Sequence, residues 1–489
     1  MSINKKIIYI SAVIFILAFG WRLGGINSQG ETWDEIAYYN ASQKFYNNVQ
    51  NRDFEAKSWD ANKEHPPIAK YIYGLVSINS FQNDEVDYTN GRVASAFMGA
   101  LTVLIVFFLA KDLFSTRVAF LSSLILIFIP HFVGLNKVYG LDTPTALFFV
   151  LTVYLFVRAI LNSSHTFYIL SGISLGLAIA TRFNNFLLFI LLPIVFFILK
   201  GKDILKGKDR KFLWYILFIP LIAGLVLFAS WPWLWSNTIE HWNLTIGHWG
   251  GIKELYFGQI VSPGYYYYFA YFLFSTPLLI LILLIPFFID TFKKLNKNNF
   301  VILACFLIMF LVSLSPTKQN GMRYIIAIYP FTAIMASIGF FYLIKKQKSI
   351  IIGSIVILLY LISINIFHHP YYLTYYNELL GGTKGVFNNK NFSIGWWGEG
   401  IEEACEWISK NSKQNSTVYI NTLPDHTTGG KLRGDIIKTT KKPDYDPDYI
   451  ILNINNIWYN QIELNDQYEL VHQIKSASVP FIYIYKKDN

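Results

Sequence analysis

Apolar stretches of about 17–25 residues recur from Ile7 to Phe367, each long enough to cross a hydrocarbon core as a helix. No other feature restricts this chain so strongly, because a backbone in lipid must satisfy its own hydrogen bonds and so runs as helices or a closed barrel. Hydrophobic residues make up 53% of the sequence and charged residues only 15%. A soluble chain of 489 residues would show several polar surfaces, and none is visible before about residue 370. The sequence predicts a mainly α, polytopic membrane protein. Spans fall near 7–25, 92–110, 118–136, 143–161, 166–181, 183–200, 211–231, 265–289, 299–315, 323–344 and 349–367, eleven in all.

Alternation sorts the connecting loops into two unlike sets. One set holds Lys5 and Lys6, Lys111 and Arg117, the six basic residues from Lys200 to Lys211, Lys293 to Lys297, and Lys345 to Lys348. The other holds the acidic segment after the first span, Asn136 to Asp142, Arg182 to Asn185, a Trp-rich loop and Pro316 to Arg323. Basic short loops stay in the cytoplasm, so the N-terminus is expected inside, with the acidic loop and the C-terminal region outside. Lysines spread over short loops in this way explain the net charge of +10 without nucleic acid. Tryptophan and tyrosine at span ends (Trp231, Trp233, Trp235, Tyr265 to Tyr268) suit the headgroup zone. The first span has a charged start but no small-residue cleavage site, which reads as a retained anchor. Cys305 and Cys405 lie in different regions and make no disulfide framework.

Two outer loops, 26–91 and 232–264, exceed simple connectors. Within the first, Asp34 to Asn47 has the pattern of an amphipathic helix with Ile36, Tyr39 and Phe45 on its apolar side. The chain divides at about residue 369 into a membrane region, 1–369, and a polar region, 370–489. In the latter, Gly395-Trp-Trp-Gly398-Glu-Gly400 precedes a helical pattern over Ile401 to Lys410. Strand-like runs follow at Ser416 to Ile420, Tyr449 to Ile454, Tyr468 to Ile474 and Phe481 to Tyr485, predicting a small α/β domain.

The chemistry-bearing residues gather on the outer side. Asp34 and Glu35 are adjacent where the first span meets water. Side chains one residue apart on a helix point about 100° apart, so one faces a reaction centre while the other supports it or meets solvent. The competing explanation is a helix N-terminus, with Thr32 as cap and acidic residues complementing the dipole. Asp142, ahead of Thr-Pro at a span start, has the same two readings. Arg92, Arg182, Lys318 and Arg323 lie at span ends on the face that cations usually avoid, where they either bind an anionic ligand such as a lipid phosphate or snorkel to headgroups. His65-Pro66-Pro67 breaks any helix and presents an imidazole in the acidic loop. The sequence carries no Walker loop, HExxH, CxxC or nucleophile elbow. His368-His369 lacks further ligands at metal-binding spacing.

The acidic pair followed by His65-Pro-Pro and Lys70 resembles the protein O-mannosyltransferase group of glycosyltransferase family 39. It is also similar to the lipid A aminoarabinose transferases, which have Lys-Pro-Pro there. Further stretches match in order: Gly91-Arg92-Val-Ala-Ser-Ala, Leu141-Asp142-Thr-Pro, Leu177-Ala-Ile-Ala-Thr-Arg182-Phe, Ser313-Leu-Ser-Pro-Thr-Lys318 with Arg323-Tyr324 and Pro330, and Tyr376-Asn-Glu-Leu-Leu-Gly-Gly382. The resemblance implies a GT-C fold with its active site at the extracytoplasmic face, a polyisoprenyl-phosphate sugar donor (commonly mannose) and a hydroxyl acceptor on protein, lipid or glycan. It implies Asp34 as catalytic base with Glu35 its acidic neighbour. His65, Arg92, Arg182, Lys318 and Arg323 fall near the donor phosphate, with Asp142 at a further acidic position. A cationic set of this size makes a metal unnecessary, so no cofactor is expected.

Compared with the eukaryotic protein O-mannosyltransferases, the chain lacks a β-trefoil domain between spans, since loop 232–264 is short. That suits a prokaryotic plasma-membrane protein and opens the acceptor to lipids as well as proteins. A flippase for lipid-linked sugars is the alternative from another class, but transporters place polar groups mid-span on broken, repeated helices. Within enzymes, a lipid-directed aminosugar transferase or a ligase of lipid-linked oligosaccharide stays open, whereas an oligosaccharyltransferase would need a Trp-Trp-Asp type motif in its outer domain, and here Gly398 follows Trp396-Trp397.

Overall fold

A computed structural model describes residues 5–82, 86–206, 213–247, 253–314, 321–420, 431–439, 446–459, 464 and 466–488. Every expected span corresponds to helix. By length and composition, however, seven helices among the described residues could cross a membrane, or eight counting one bent pair, rather than eleven. The bent pair is Tyr267–Ser275 with Leu278–Lys294, turned by 112°. Pro277 accounts for the break: the preceding Thr276 is extended (φ −91°, ψ 134°), as a residue before proline prefers. Three further apolar helices, Thr116–Ile127, His165–Ile179 and Ile328–Leu343, are shorter than a full crossing requires. The span expected at 118–136 is interrupted before Pro130, where a second short helix, Pro130–Leu135, begins.

Helices pack closely where glycine removes a side chain. A Cβ on Gly339 would lie 2.0 Å from the Leu283 carbonyl of the facing helix, and one on Gly176 would lie 2.5 Å from Val226 Cβ. Gly172 and Gly176 form a small-xxx-small face against Leu213–Ser230, the usual device for backbone approach where lipid weakens the hydrophobic drive. Buried hydroxyls of Ser122, Thr145, Thr152 and Thr332 donate to carbonyls one turn back. Ser337 instead donates across to Val118 O, tying two helices.

The first outer loop folds into two helices, Glu35–Gln50 and Ile68–Val76. Tyr39 and Phe45 are buried as the amphipathic pattern suggests. The two helices pack on each other, Gly74 of the second lying against Ser42 and Tyr46 of the first.

In the second outer loop β1 (Glu254–Tyr256) and β2 (Gln259–Val261) form a hairpin. The C-terminal region carries β3 (Thr417–Ile420), β4 (Ile437–Thr439), β5 (Tyr449–Asn453), β6 (Tyr468–Ser476) and β7 (Val479–Lys487). Their order in the sheet is β4-β3-β5-β7-β6, parallel through β4, β3 and β5 and antiparallel beyond. Of these five strands the sequence missed β4, a three-residue edge strand, and it also gave no strand at β1 or β2. Helix Ile401–Asn411 covers the sheet through Ile401, Ala404, Cys405 and Ile408. Backbone bonds lock this region to the first outer loop: Trp33 N donates to Trp397 O at 2.9 Å and Gly400 N to Gln29 O at 3.2 Å.

Candidate active site

Asp34 ends the turn that starts helix Glu35–Gln50, yet its side chain makes no cap hydrogen bond. It turns instead to Arg323, with Oδ2 2.6 Å from Nη1, and stays 38% exposed. Arg323 also donates from Nε to Asp142 Oδ2 at 3.1 Å, and its guanidinium lies 3.9 Å over the Trp397 ring. Asp142, first residue of its helix, holds Arg182 Nη1 with its other oxygen at 2.5 Å. Arg182 in turn lies 4.2 Å over Tyr324. Asp34, Arg323, Asp142 and Arg182 thus form one alternating chain from four segments far apart in sequence, all at helix ends. Two carboxylates and two guanidiniums balance in charge, and Asp142 at its centre orients both cations. Asp142 beside it holds the Arg182 pKa above the ordinary value despite burial.

Glu35 faces the other way. It is fully buried and accepts four hydrogen bonds: Arg92 Nε at 2.8 Å, Arg92 Nη2 at 2.6 Å, Thr32 N at 2.9 Å and Tyr139 N at 2.8 Å. Arg92 also donates to Gly30 O at 2.8 Å. Neither lines the cavity beside Asp34. The structure thus places Glu35 and Arg92, expected in catalysis and on the donor, away from that cavity, as a buried brace under the Asp34 turn in which each saturates the other. Lys318 lies outside the described residues.

His65 lines the cavity, and Lys70 positions its loop. The buried Lys70 ammonium donates to the carbonyls of Asn62 (2.6 Å) and His65 (2.8 Å), and burial pulls its pKa down to about 7. Burial, with Arg182, Lys70 and Arg323 nearby, holds the His65 pKa well below its usual value. At neutral pH His65 is an uncharged hydrogen-bonding group rather than a cation. His368 and His369 are spent locally on Ile364 O, Thr383 and Tyr372. No cluster of three metal-type ligands occurs among the described residues.

Two cavities meet here. A polar chamber of about 620 Å³ is lined on one side by Asp34, Tyr38, Glu64, His65, Arg182 and Arg323. Its other walls come from Lys253 and Glu254 of the second outer loop and from Ser393, Trp396, Trp397, Asn456 and Tyr459. An apolar cleft of about 310 Å³ adjoins it, walled by Phe183, Phe186, Leu187, Ile190, Leu311 and Val312. His65, Arg182 and Tyr324 line both and mark the junction. Sequence reasoning missed the cleft, because its apolar residues look like any lipid-facing helix start. It gave the C-terminal domain a part in choosing the acceptor but named no residue of the C-terminal wall, although the Gly-Trp-Trp-Gly-Glu-Gly segment was a visible signal.

Buried carboxyls behind the chamber have a consequence for pH. Burial pushes Glu31 up to about 8, helped by repulsion from Glu35 and Glu402, and pushes Glu399 up to about 7. Each binds its proton more tightly folded than unfolded. The stability this lends is present below the unfolded value near pH 4.3 and is lost as pH rises through about 7–8. Thermal unfolding should therefore show a falling Tm between pH 5 and pH 8 (roughly the window between those values), and the double variant Glu31→Gln, Glu399→Gln should flatten that slope. An unchanged slope in the variant would reject these residues as its source.

Residues 64–233 match the family described as dolichyl-phosphate-mannose-protein mannosyltransferase. A search of curated protein sequences gives no match. Among solved structures, the chain is similar to ArnT from Cupriavidus metallidurans bound to undecaprenyl phosphate, with TM-score 0.56 and 13% identity over 99% of this chain and 98% of that one. It is also similar to the Archaeoglobus fulgidus oligosaccharyltransferase tethered with an acceptor peptide, with TM-score 0.50 and 12% identity over 92% and 69%. At such identities the likeness establishes the fold, which is the GT-C fold expected from the sequence. The family match and this fold together bear out the resemblance.

Proposed function

We propose that this GT-C protein is an inverting glycosyltransferase that moves a sugar, mannose or a related hexose, from a polyisoprenyl-phosphate donor to a hydroxyl acceptor. The observation that carries this reading is the junction of the two cavities. The apolar cleft suits a polyprenyl chain, and Arg182 with neutral His65 sits where that chain would end in phosphate. The chamber beyond leaves room for the sugar and its acceptor.

An acceptor alcohol is too weak an acid to ionise beforehand. Asp34 Oδ takes its proton as the oxygen attacks the anomeric carbon, and the C1–O bond to phosphate breaks on the opposite face. The leaving phosphate gains negative charge as it departs. His65 and Arg182, the latter held in place by Asp142, stabilise that charge, and the loss of one such donor typically costs about 10²–10³-fold in rate, while Arg323 orients the Asp34 carboxylate on the opposite face. Part of their attraction is already felt by the bound donor and so contributes to affinity alone. Metal independence belongs to the same reading, since the cations come from the chain. The reaction is placed at the extracytoplasmic face, with the N-terminus in the cytoplasm, on the strength of the loop charges. That the site's ion pairs lie at helix ends, rather than mid-span, supports transfer over transport.

Transfer of radiolabel from polyprenyl-phosphate mannose by the full-length protein in lipid tests the proposal. Ile190→Trp, which narrows the cleft, is expected to raise the donor KM about 10-fold with kcat little changed, the pattern of lost uniform binding. Free undecaprenyl phosphate should compete, and water-soluble mannose phosphate should not. No label leaving any polyprenyl-phosphate hexose would refute the reading.

A further inference from the structure

The chamber is divided in character. Every charged residue lining it comes from the membrane region or the second outer loop. The residues from 393 onward that line it (Ser393, Trp396, Trp397, Asn453, Asn455, Asn456 and Tyr459) are all neutral, either hydroxyl, amide or indole. Trp396 is half-buried and stacks on Trp397, with centroids 5.3 Å apart and planes at 19°. Trp397 in turn underlies Arg323, the partner of Asp34. This wall therefore adjoins the carboxylate, while the apolar cleft opens at His65, Arg182 and Tyr324. In an inverting displacement the base and the leaving group lie on opposite faces of the anomeric carbon. A wall beside the base belongs to the acceptor.

We propose that the Trp396 wall is the acceptor subsite and that it takes a sugar ring, so that the hydroxyl glycosylated belongs to a carbohydrate. This rests on the transferase reading and names its second substrate. A pyranose presents a C–H face that packs on a flat indole and a rim of hydroxyls that exchange hydrogen bonds with neutral amides and alcohols. The C-terminal wall supplies that combination and adds no charge. A chamber of about 620 Å³ falls in the range that holds a ligand larger than one ring.

One common way to hold a peptide acceptor is an unpaired strand edge or a row of free backbone groups. Among the described residues neither is offered at this wall. Strand β5, which ends at Asn453 in the chamber, is paired on both sides by β3 and β7. The β1–β2 hairpin spends its Phe257 and Gly258 amides on Asn391 O and Lys390 O, at 2.7 and 2.9 Å. Asn453 and Asn455 fix the wall's shape before any ligand arrives, Asn453 Nδ2 donating to Gly395 O and Asn455 Nδ2 to Ile394 O, so the groups that face a ring's hydroxyls are those of Ser393, Asn456 and Tyr459.

The test uses the full-length protein in lipid nanodiscs and saturation-transfer NMR. Probes are the methyl glycosides of glucose, galactose, mannose and N-acetylglucosamine, beside a Ser/Thr-rich peptide, with and without saturating polyprenyl-phosphate mannose. At least one glycoside should receive saturation at its ring protons, keep it when the donor is bound, and lose about 10-fold in affinity in Trp396→Ala while Trp396→Phe recovers most of it. Binding of the peptide but of no glycoside overturns the proposal. So does displacement of the glycoside by the donor, which would assign the ring to the donor's own sugar, or affinity unchanged in Trp396→Ala. Transfer is measured on the same samples. Trp396-dependent glycoside binding without release of sugar from any donor would keep the carbohydrate subsite and remove the transferase reading instead.

Discussion

Asp34→Asn should lower kcat for sugar transfer by about 10²–10⁴-fold, the usual contribution of a positioned general base, with the donor KM changed no more than a few-fold. Asparagine keeps the size of the side chain and an oxygen acceptor for Arg323, so the geometry around it should survive. Arg323 retains its bond to Asp142, and Asp34 is the one carboxylate of the alternating chain that is appreciably exposed, at 38%. Fold and donor binding should accordingly be intact. Donor affinity by calorimetry and transfer of radiolabel, measured on one preparation, separate these effects. Equal transfer by the variant would remove Asp34 from the chemistry. Loss of donor binding along with activity would make it a positioning residue for Arg323.

The second large effect is on stability. Arg92→Met leaves the Glu35 carboxylate buried with two backbone donors and no counter-charge, and breaking such a pair costs about 3–5 kcal/mol. Glu35→Gln strands the guanidinium in the same way. Both should unfold at lower temperature in detergent, and the double variant should be less damaged than the sum of the singles, because neither charge is then left alone. This distinguishes brace from catalyst. If Glu35 acts in the reaction, Glu35→Gln stays folded and loses kcat. As a brace, it loses activity only in proportion to folded protein.

The partition between Asp34 and Glu35 illustrates how far the sequence could be read. Adjacent helix positions diverge by about 100°, so one carboxylate alone was expected to serve the reaction centre. Spacing left open which one, and only the family resemblance pointed to Asp34, because the physical answer depends on partners at residues 92 and 323. Asp142 was equally balanced between capping and function until Arg182 and Arg323 were seen on its two oxygens. Asp34 does stand at the N-terminus of its helix, as the dipole explanation expects, but its side chain accepts no hydrogen bond from that helix and turns to Arg323 instead. The interrupted spans had a visible cause in Pro277 and Pro130, but hydropathy averaged over a window does not register a change of direction.

Hydrophobic length, loop charge and residue type are properties of consecutive residues, and they suffice for a helical membrane protein with its reactive groups on one side. They also suffice for an acidic and cationic set at helix ends and a small sheet at the C-terminus. The pairing of Glu35 with Arg92, the neutral state of His65, the apolar cleft and the wall from Trp396 to Tyr459 depend on segments tens to hundreds of residues apart meeting. Desolvation and geometry acquire values only once those segments pack, because a charge's cost and a cavity's shape belong to its surroundings rather than to the residue.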